Sequence, residues 1–205
     1  MNDKYFLNTA TYGTHNIIAR LMGSDKEVLD VGCNRGYLKK LSPDNVFYGL
    51  DYSLEDLEVA KKAGYKETYQ VDLNRIDGFK IDKSFELIVF GDVLEHLLDP
   101  KSILQNFIDN NLVDNGKVII SLPNIANLFI RLNLLFGRFN YQDNGILDKT
   151  HLHFYTLKTA REFIDSCGLS IKEEKFSSNI FGGLIKRLPC FGGLLGYNLI
   201  FICQK

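Results

Sequence analysis

The sequence has no apolar run of about 18 residues, no C-x-x-C pair, no block of like charge and no internal repeat. Each absence removes a class of protein. Without such an apolar run no transmembrane helix is expected. The four cysteines, Cys33, Cys167, Cys190 and Cys203, are far apart in sequence. That spacing indicates neither a zinc site nor a redox motif, and free thiols fit a reducing, cytoplasmic location. The net charge is −1, and no basic face is apparent of the kind a nucleic-acid backbone requires. The opening residues, MNDKYFLNTATYGTHN, lack a cationic start followed by an apolar stretch, so no secretory signal is read. No low-complexity linker divides the chain. With 205 residues, 45% of them hydrophobic and 24% charged, one domain over 1–205 with a full core is expected.

What is present is an alternation of strand-like and helix-like segments, which argues for a parallel sheet with helices on both faces. A helix is expected from His15 to Met22, ending at Gly23. Strands follow at Glu27–Val31, Val46–Asp51, Thr68–Val71, Phe85–Phe90 and Lys117–Ser121. A short helix is read from Gly36 to Leu41 between the first two strands. Ser53, with Asp56 three residues on, reads as a capping box for the next helix, which ends at Gly64. Asp99-Pro100 opens another. Pro123-Asn124 opens a helix to about Phe136, and Thr156 to Cys167 forms a last one. Leu169–Phe176 and Tyr197–Cys203 read as an antiparallel pair, with the Gly-rich stretch 182–196 between them and no evident helix there. The expected architecture is a doubly wound α/β sheet: five parallel strands and an antiparallel C-terminal pair.

The strongest local signal is Val28-Leu29-Asp30-Val31-Gly32-Cys33-Asn34-Arg35-Gly36. An apolar strand runs into a glycine turn and then a helix. Glycines let backbone approach a ligand closely, and amides at a helix start favour an anion. Asn34 stands where a further glycine is common, and asparagine tolerates left-handed dihedrals. Alone, such a turn also serves simple packing. Three acidic residues extend the pattern. Asp51 lies 19 residues after Gly32, Asp72 lies 21 further on and Asp92 another 20. Each ends or follows a successive strand, on the edge where open α/β sheets bind ligands. A carboxylate there can accept both ribose hydroxyls, at ~1.5–3 kcal/mol per charged hydrogen bond. For any one of them, Asp92 above all, the plainer reading is a loop residue or N-cap. A nicotinamide site would need G-x-G-x-x-G; here Gly32-x-x-x-Gly36 lacks the middle glycine.

VLDVGCNRGYL, YGLDYS, QVDLN and FGDVLEHLLDP resemble the successive motifs of class I S-adenosylmethionine (SAM)-dependent methyltransferases, over about residues 12 to 170. The resemblance implies a Rossmann-like fold, methyl transfer and SAM as cofactor. It assigns Asp30 and the turn Gly32, Cys33, Asn34 and Gly36 to the methionine half. It assigns Asp51 to the ribose, Tyr52 to the adenine face, Asp72 and Leu73 to the adenine edge, and Gly91 and Asp92 to the pocket beside the sulfonium.

A hydroxyl acceptor usually needs a general base, most often histidine. Of the four histidines, His96 lies just past the fourth strand, where the methyl should sit; the bland reading is a helix-start residue. His151 and His153 alternate with apolar residues in Gly145–Tyr155, so both can share one side of an extended segment. That segment is similar to one in sugar and cell-surface-polysaccharide methyltransferases and in methyltransferase-like proteins linked to methionine biosynthesis. By that comparison His151 is the pocket residue and Asp148 orients it; otherwise the two tie down a loop. No metal site is read, because no carboxylate or third histidine is evidently near His151 and His153. Phe136, Phe139 and Tyr141 form either a lid or ordinary packing. The stretch 182–196, with Lys186 and Arg187, reads as a loop folded over the sheet edge rather than an interfacial patch. The expected partner is a small-molecule acceptor, sugar-linked by preference. The rival expectation is a SAM-binding accessory subunit without its own transfer activity. The oligomeric state is not legible.

Overall fold

Seven strands form one sheet in the order β3-β2-β1-β4-β5-β7-β6. The structure is a computed structural model and describes residues 7, 9–76 and 79–205. Residues 1–6 and 8, part of the segment read for a targeting signal, lie outside the described residues. The strands are β1 (Glu27–Val31), β2 (Val46–Asp51), β3 (Glu67–Gln70), β4 (Phe85–Gly91), β5 (Leu112–Pro123), β6 (Ser170–Phe176) and β7 (Asn198–Gln204). β1 to β5 pair in parallel. β7 runs antiparallel between β5 and β6.

Side-chain alternation along the central strands builds two cores. One face carries Leu29, Val31, Leu50, Ile88, Phe90, Val118 and Ile120. It packs against α4 (Pro100–Asn111) and α6 (Leu157–Ser166), through Leu104, Phe107, Ala160 and Ile164. The other face carries Val28, Phe47, Leu87, Val89 and Ile119. It packs against α1 (Thr14–Met22), α2 (Tyr37–Leu41) and α3 (Leu54–Lys62). Strands buried on both faces read as continuous apolar runs, which is why β4 and β5 were legible.

The caps match the sequence in part. The Ser53 side chain accepts from the Asp56 amide, and Asp99 caps α4 with Pro100 at its start. The helix expected from Pro123 begins instead at Leu128, as α5 (Leu128–Leu135) with Asn127 as cap. Pro123 is still strand, paired with Asn198. The amide of Asn124 goes to the Tyr197 carbonyl, 2.9 Å, so the chain cannot turn into helix until that pairing ends. The Gly-rich stretch is also not a plain loop. It winds into α7 (Gly182–Arg187), a turn at Pro189–Phe191 and α8 (Gly192–Leu195). Helices therefore do separate β6 from β7. Asn124 and Asn127 fasten this segment, donating to the carbonyls of Gly193 and Gly196.

Candidate functional site

The carboxyl ends of β1, β2 and β4 and the amino end of β7 meet on one rim of the sheet, and the residues singled out from sequence lie along it. At the end of β1 the chain turns through Gly32 and Gly36, both with positive φ. A side chain on Gly32 would strike Val93, and one on Gly36 would strike Tyr65. Asn34 sits between them with φ 47°, filling the left-handed position without glycine.

Asp51 closes β2 with its carboxylate facing this turn. It accepts from the Asn34 amide at 2.9 Å and from the Ser53 amide at 3.0 Å. Those bonds fix its orientation and leave further lone pairs on both oxygens. Burial pushes its pKa up, opposed by these backbone donors.

Asp30 is buried in β1 and accepts from the Tyr65 hydroxyl at 2.5 Å. Burial raises it to about 7, the Tyr65 bond opposes that, and the Asp51 charge adds to it. Tyr65 was not found from the sequence. It is a tyrosine closing a helix–strand turn, with no local pattern to flag it.

Tyr52 is 76% exposed, an open ring beside Asp51. Asp72 follows β3, caps the turn at Leu73–Arg75 through the Asn74 amide, and has a half-exposed side chain. Gly91 ends β4. Asp92 has φ 56°. Its carboxylate accepts from the Ser121 hydroxyl and from Asn198 Nδ2, the latter at 2.5 Å. Asp92 thus fastens β4 to β5 and β7, and burial raises its pKa.

His96 and His151 converge one turn further along. A short turn at Leu94–His96 follows β4. The amides of Leu152 and His153 both donate to the Glu95 carbonyl, and this docks the 145–155 segment beside it. The His96 and His151 rings meet edge to face at 4.7 Å. Glu95 and His151 have side chains 1% and 5% exposed, with Oε1 to Nε2 at 3.9 Å. Burial, reinforced by the Asp92 and Asp148 charges, drives the Glu95 pKa well up.

Asp148 Oδ1 takes the amide and hydroxyl of Thr150, at 2.8 and 2.7 Å. Thr150 Oγ1 lies 3.1 Å from His96 Nδ1. His151 Nδ1 instead lies 3.1 Å from the Ile146 carbonyl. Asp148 therefore reaches His96 through Thr150, and its carbonyl accepts from the His151 amide at 3.0 Å, while the His151 ring faces the Ile146 carbonyl. His153 stands apart, tilted against Tyr155. His151 and His153 by themselves point to no metal site. The structure instead brings Glu95 and His96 to His151, about 55 residues away in sequence. The signal that was available is a charged Glu-His pair inside the apolar run VLEHLL.

Phe139 packs on Tyr141 and Phe154, and Phe154 on His151, so this aromatic loop borders the cluster. Phe136 is 70% exposed. Asn127, Phe129, Asn133, Arg138 and Tyr197 line a hollow of about 190 Å³ beneath α5. No helix among the described residues is long and apolar enough to cross a membrane.

The donor set fits SAM. A carboxylate held by turn amides suits ribose hydroxyls, and the glycine turn leaves backbone open to a ligand. Residues 10–174 match the family described as a methyltransferase domain. The ubiquinone biosynthesis O-methyltransferase of Actinobacillus pleuropneumoniae (strain L20) is 33% identical over 91 residues, which is 40% of this chain and 39% of that protein. The match thus spans well under half of that relative. Among solved structures, a SAM-dependent methyltransferase from Mesorhizobium loti aligns with TM-score 0.63 and 15% identity, over 94% of this chain and 98% of that one. The N-methyltransferase NodS from Bradyrhizobium japonicum, in complex with S-adenosyl-L-homocysteine, aligns with TM-score 0.62 and 17% identity, over 93% and 85%. With that family match covering most of its length and its sheet in this strand order, the chain belongs to the class I SAM-dependent methyltransferases.

Proposed function

We propose that this methyltransferase acts on a hydroxyl or amine of a small molecule, with a sugar or glycan precursor as the favoured acceptor. The observation that carries the reading is the sharing of one rim by Asp51 and the Glu95–His96–His151 group, in which Glu95 is buried and His96 partly exposed. SAM supplies an electrophilic methyl on its sulfonium. Asp51 takes the ribose hydroxyls, Tyr52 covers the adenine, and Asp72 and Leu73 contact its edge. Asp30 and the turn Gly32, Cys33, Asn34 and Gly36 hold the methionine half. Gly91 and Asp92 line the space beside the sulfur.

Methyl transfer is an in-line displacement, so the main lever is to hold the acceptor close and aligned. His96 and His151 clamp the acceptor and draw off its proton, with Asp148 steadying this side through Thr150. Two observations support the acceptor class. Gly145–Tyr155 resembles a segment of sugar methyltransferases. The relatives named as O-methyltransferases, and NodS as an N-methyltransferase, support a hydroxyl or an amine.

The test is methyl transfer from labelled SAM to nucleotide sugars, monosaccharides, phenols and primary amines. His151→Ala should lower turnover by about 10²–10⁴, the span of general acid–base catalysis, with S-adenosylhomocysteine affinity retained. Undiminished turnover on the acceptor that wild type prefers would discard the role. A protein that binds S-adenosylhomocysteine, methylates none of the panel and co-purifies with a second enzyme would instead be an accessory subunit.

A further inference from the structure

The acceptor side contains a group that the proposed chemistry does not by itself explain. Glu95 is fully buried, and neither of its carboxylate oxygens has a hydrogen-bond partner. Burying a carboxylate without donors costs several kcal/mol, so a fold seldom leaves one so placed unless something else satisfies it. Among the groups around it are the His96 and His151 rings, with the Asp92 and Asp148 carboxylates beyond.

The Nδ1 atoms face oxygens that accept: two backbone carbonyls, and beside His96 the Thr150 hydroxyl, whose own hydrogen goes to Asp148. His151 Nδ1 lies 3.1 Å from the Ile146 carbonyl, and His96 Nδ1 lies 3.3 Å from the Thr150 carbonyl. A carbonyl cannot donate, so in each ring Nδ1 carries the proton and Nε2 carries the lone pair of the neutral imidazole. A backbone carbonyl on the far nitrogen is the arrangement that orients metal-bound histidines. One ligand atom each from Glu95, His96 and His151 lies within 4.8 Å of the other two, and Glu95 Oε1 is 3.9 Å from His151 Nε2. Around an ion with bonds of about 2.1 Å, ligand atoms sit roughly 3–3.5 Å apart. Small side-chain rotations close that difference.

We propose that Glu95, His96 and His151 bind one divalent transition-series cation. Two imidazoles and one carboxylate suit zinc, manganese, iron, cobalt or nickel, and are a poor match for calcium, which takes oxygen ligands. Three protein ligands leave coordination positions open. On the methyltransferase reading, on which this role rests, an acceptor oxygen takes one of them. With the ion bound, His96 and His151 no longer take the acceptor's proton themselves but clamp the acceptor through the ion, which favours acceptors able to present a hydroxyl to a metal.

The experiment is titration of chelator-treated, dialysed protein with Co²⁺, followed by visible absorption and equilibrium dialysis. One equivalent should bind with a ligand-field band. Affinity should fall at least 30-fold in Glu95→Gln and in His96→Ala, and stay unchanged in His153→Ala. His96 is partly exposed, so its variant tests the site even where Glu95→Gln disturbs packing. No bound cobalt in wild type, or equal affinity in wild type and His96→Ala, overturns the proposal. S-adenosylhomocysteine titrated into the same samples reports separately on the methyltransferase reading, whatever the cobalt result.

Discussion

At the scale of single residues, Asp30 gives the sharpest test. Its pKa in the fold is raised to about 7, mainly by burial. A carboxyl that binds its proton more tightly folded than unfolded stabilises the protein at low pH. That contribution is full below the unfolded value near 4 and fades as pH rises to 7. Asp30→Asn keeps an acceptor for the Tyr65 hydroxyl and removes the titration. Relative to wild type, its urea midpoint should therefore rise between pH 5 and pH 7.5. A constant difference across that range would show that Asp30 does not titrate there. Asp51 gives a second test. Asp51→Ala should weaken S-adenosylhomocysteine by at least about 10-fold, since each of its two charged hydrogen bonds to the ribose is worth ~1.5–3 kcal/mol. Calorimetric titration checks it, and equal affinity would remove the ribose assignment. Asp51 was legible because strand length and the glycine turn together set where a second strand must end. Glu95 was not. Its meaning comes from His151, which α4, β5, α5 and a loop separate from it in the chain. Asp92 was legible as a rim residue, but its bonds to Ser121 and Asn198 were not, because Asn198 lies 106 residues away.

At the scale of elements, α6 rests on a reciprocal cap. The Thr156 side chain accepts from the Thr159 amide, and Thr159 Oγ1 accepts from the Thr156 amide. Thr156→Ala should cost about 1 kcal/mol, a fall of roughly 2–4 °C in Tm for a chain of this size. No change on thermal unfolding would show that the cap is dispensable. Gly192 opens α8 against β6, where an added side-chain carbon would collide with the Phe176 ring. Gly192→Ala should destabilise by about 1–3 kcal/mol, the usual cost of overpacking, read from the denaturant midpoint. The helical turns within 182–196 were missed because glycines and Pro189 are poor helix formers. Burial of Ile185 and Leu195 outweighs that preference. The start of α5 was missed for another reason: proline at a helix start and proline at the end of a paired strand look alike in sequence. Pairing with β7 decided between them.

At the scale of the molecule, the parallel half of the sheet followed from alternation alone, since each βαβ unit must return its next strand to the same sheet. The place of β7 did not. The last strand in sequence lies between β5 and β6, and only its apolar run, buried from Asn198 to Cys203, hints at an interior position. Amide exchange should reflect this order. Protection should be highest in β1, β4, β5 and β7, and lowest in β3 and β6 at the two edges. Faster exchange in β7 than in β6 would mean that the inserted strand opens first. The edge built by those parallel strands is where cofactor and acceptor are expected to meet, and a crystal structure with S-adenosylhomocysteine bound is the most direct measurement of it. Asp51 on both ribose hydroxyls, with the sulfur facing Glu95, His96 and His151, is the expected result. A nucleoside seated elsewhere, or with Asp51 turned away from its ribose, would contradict the assignment.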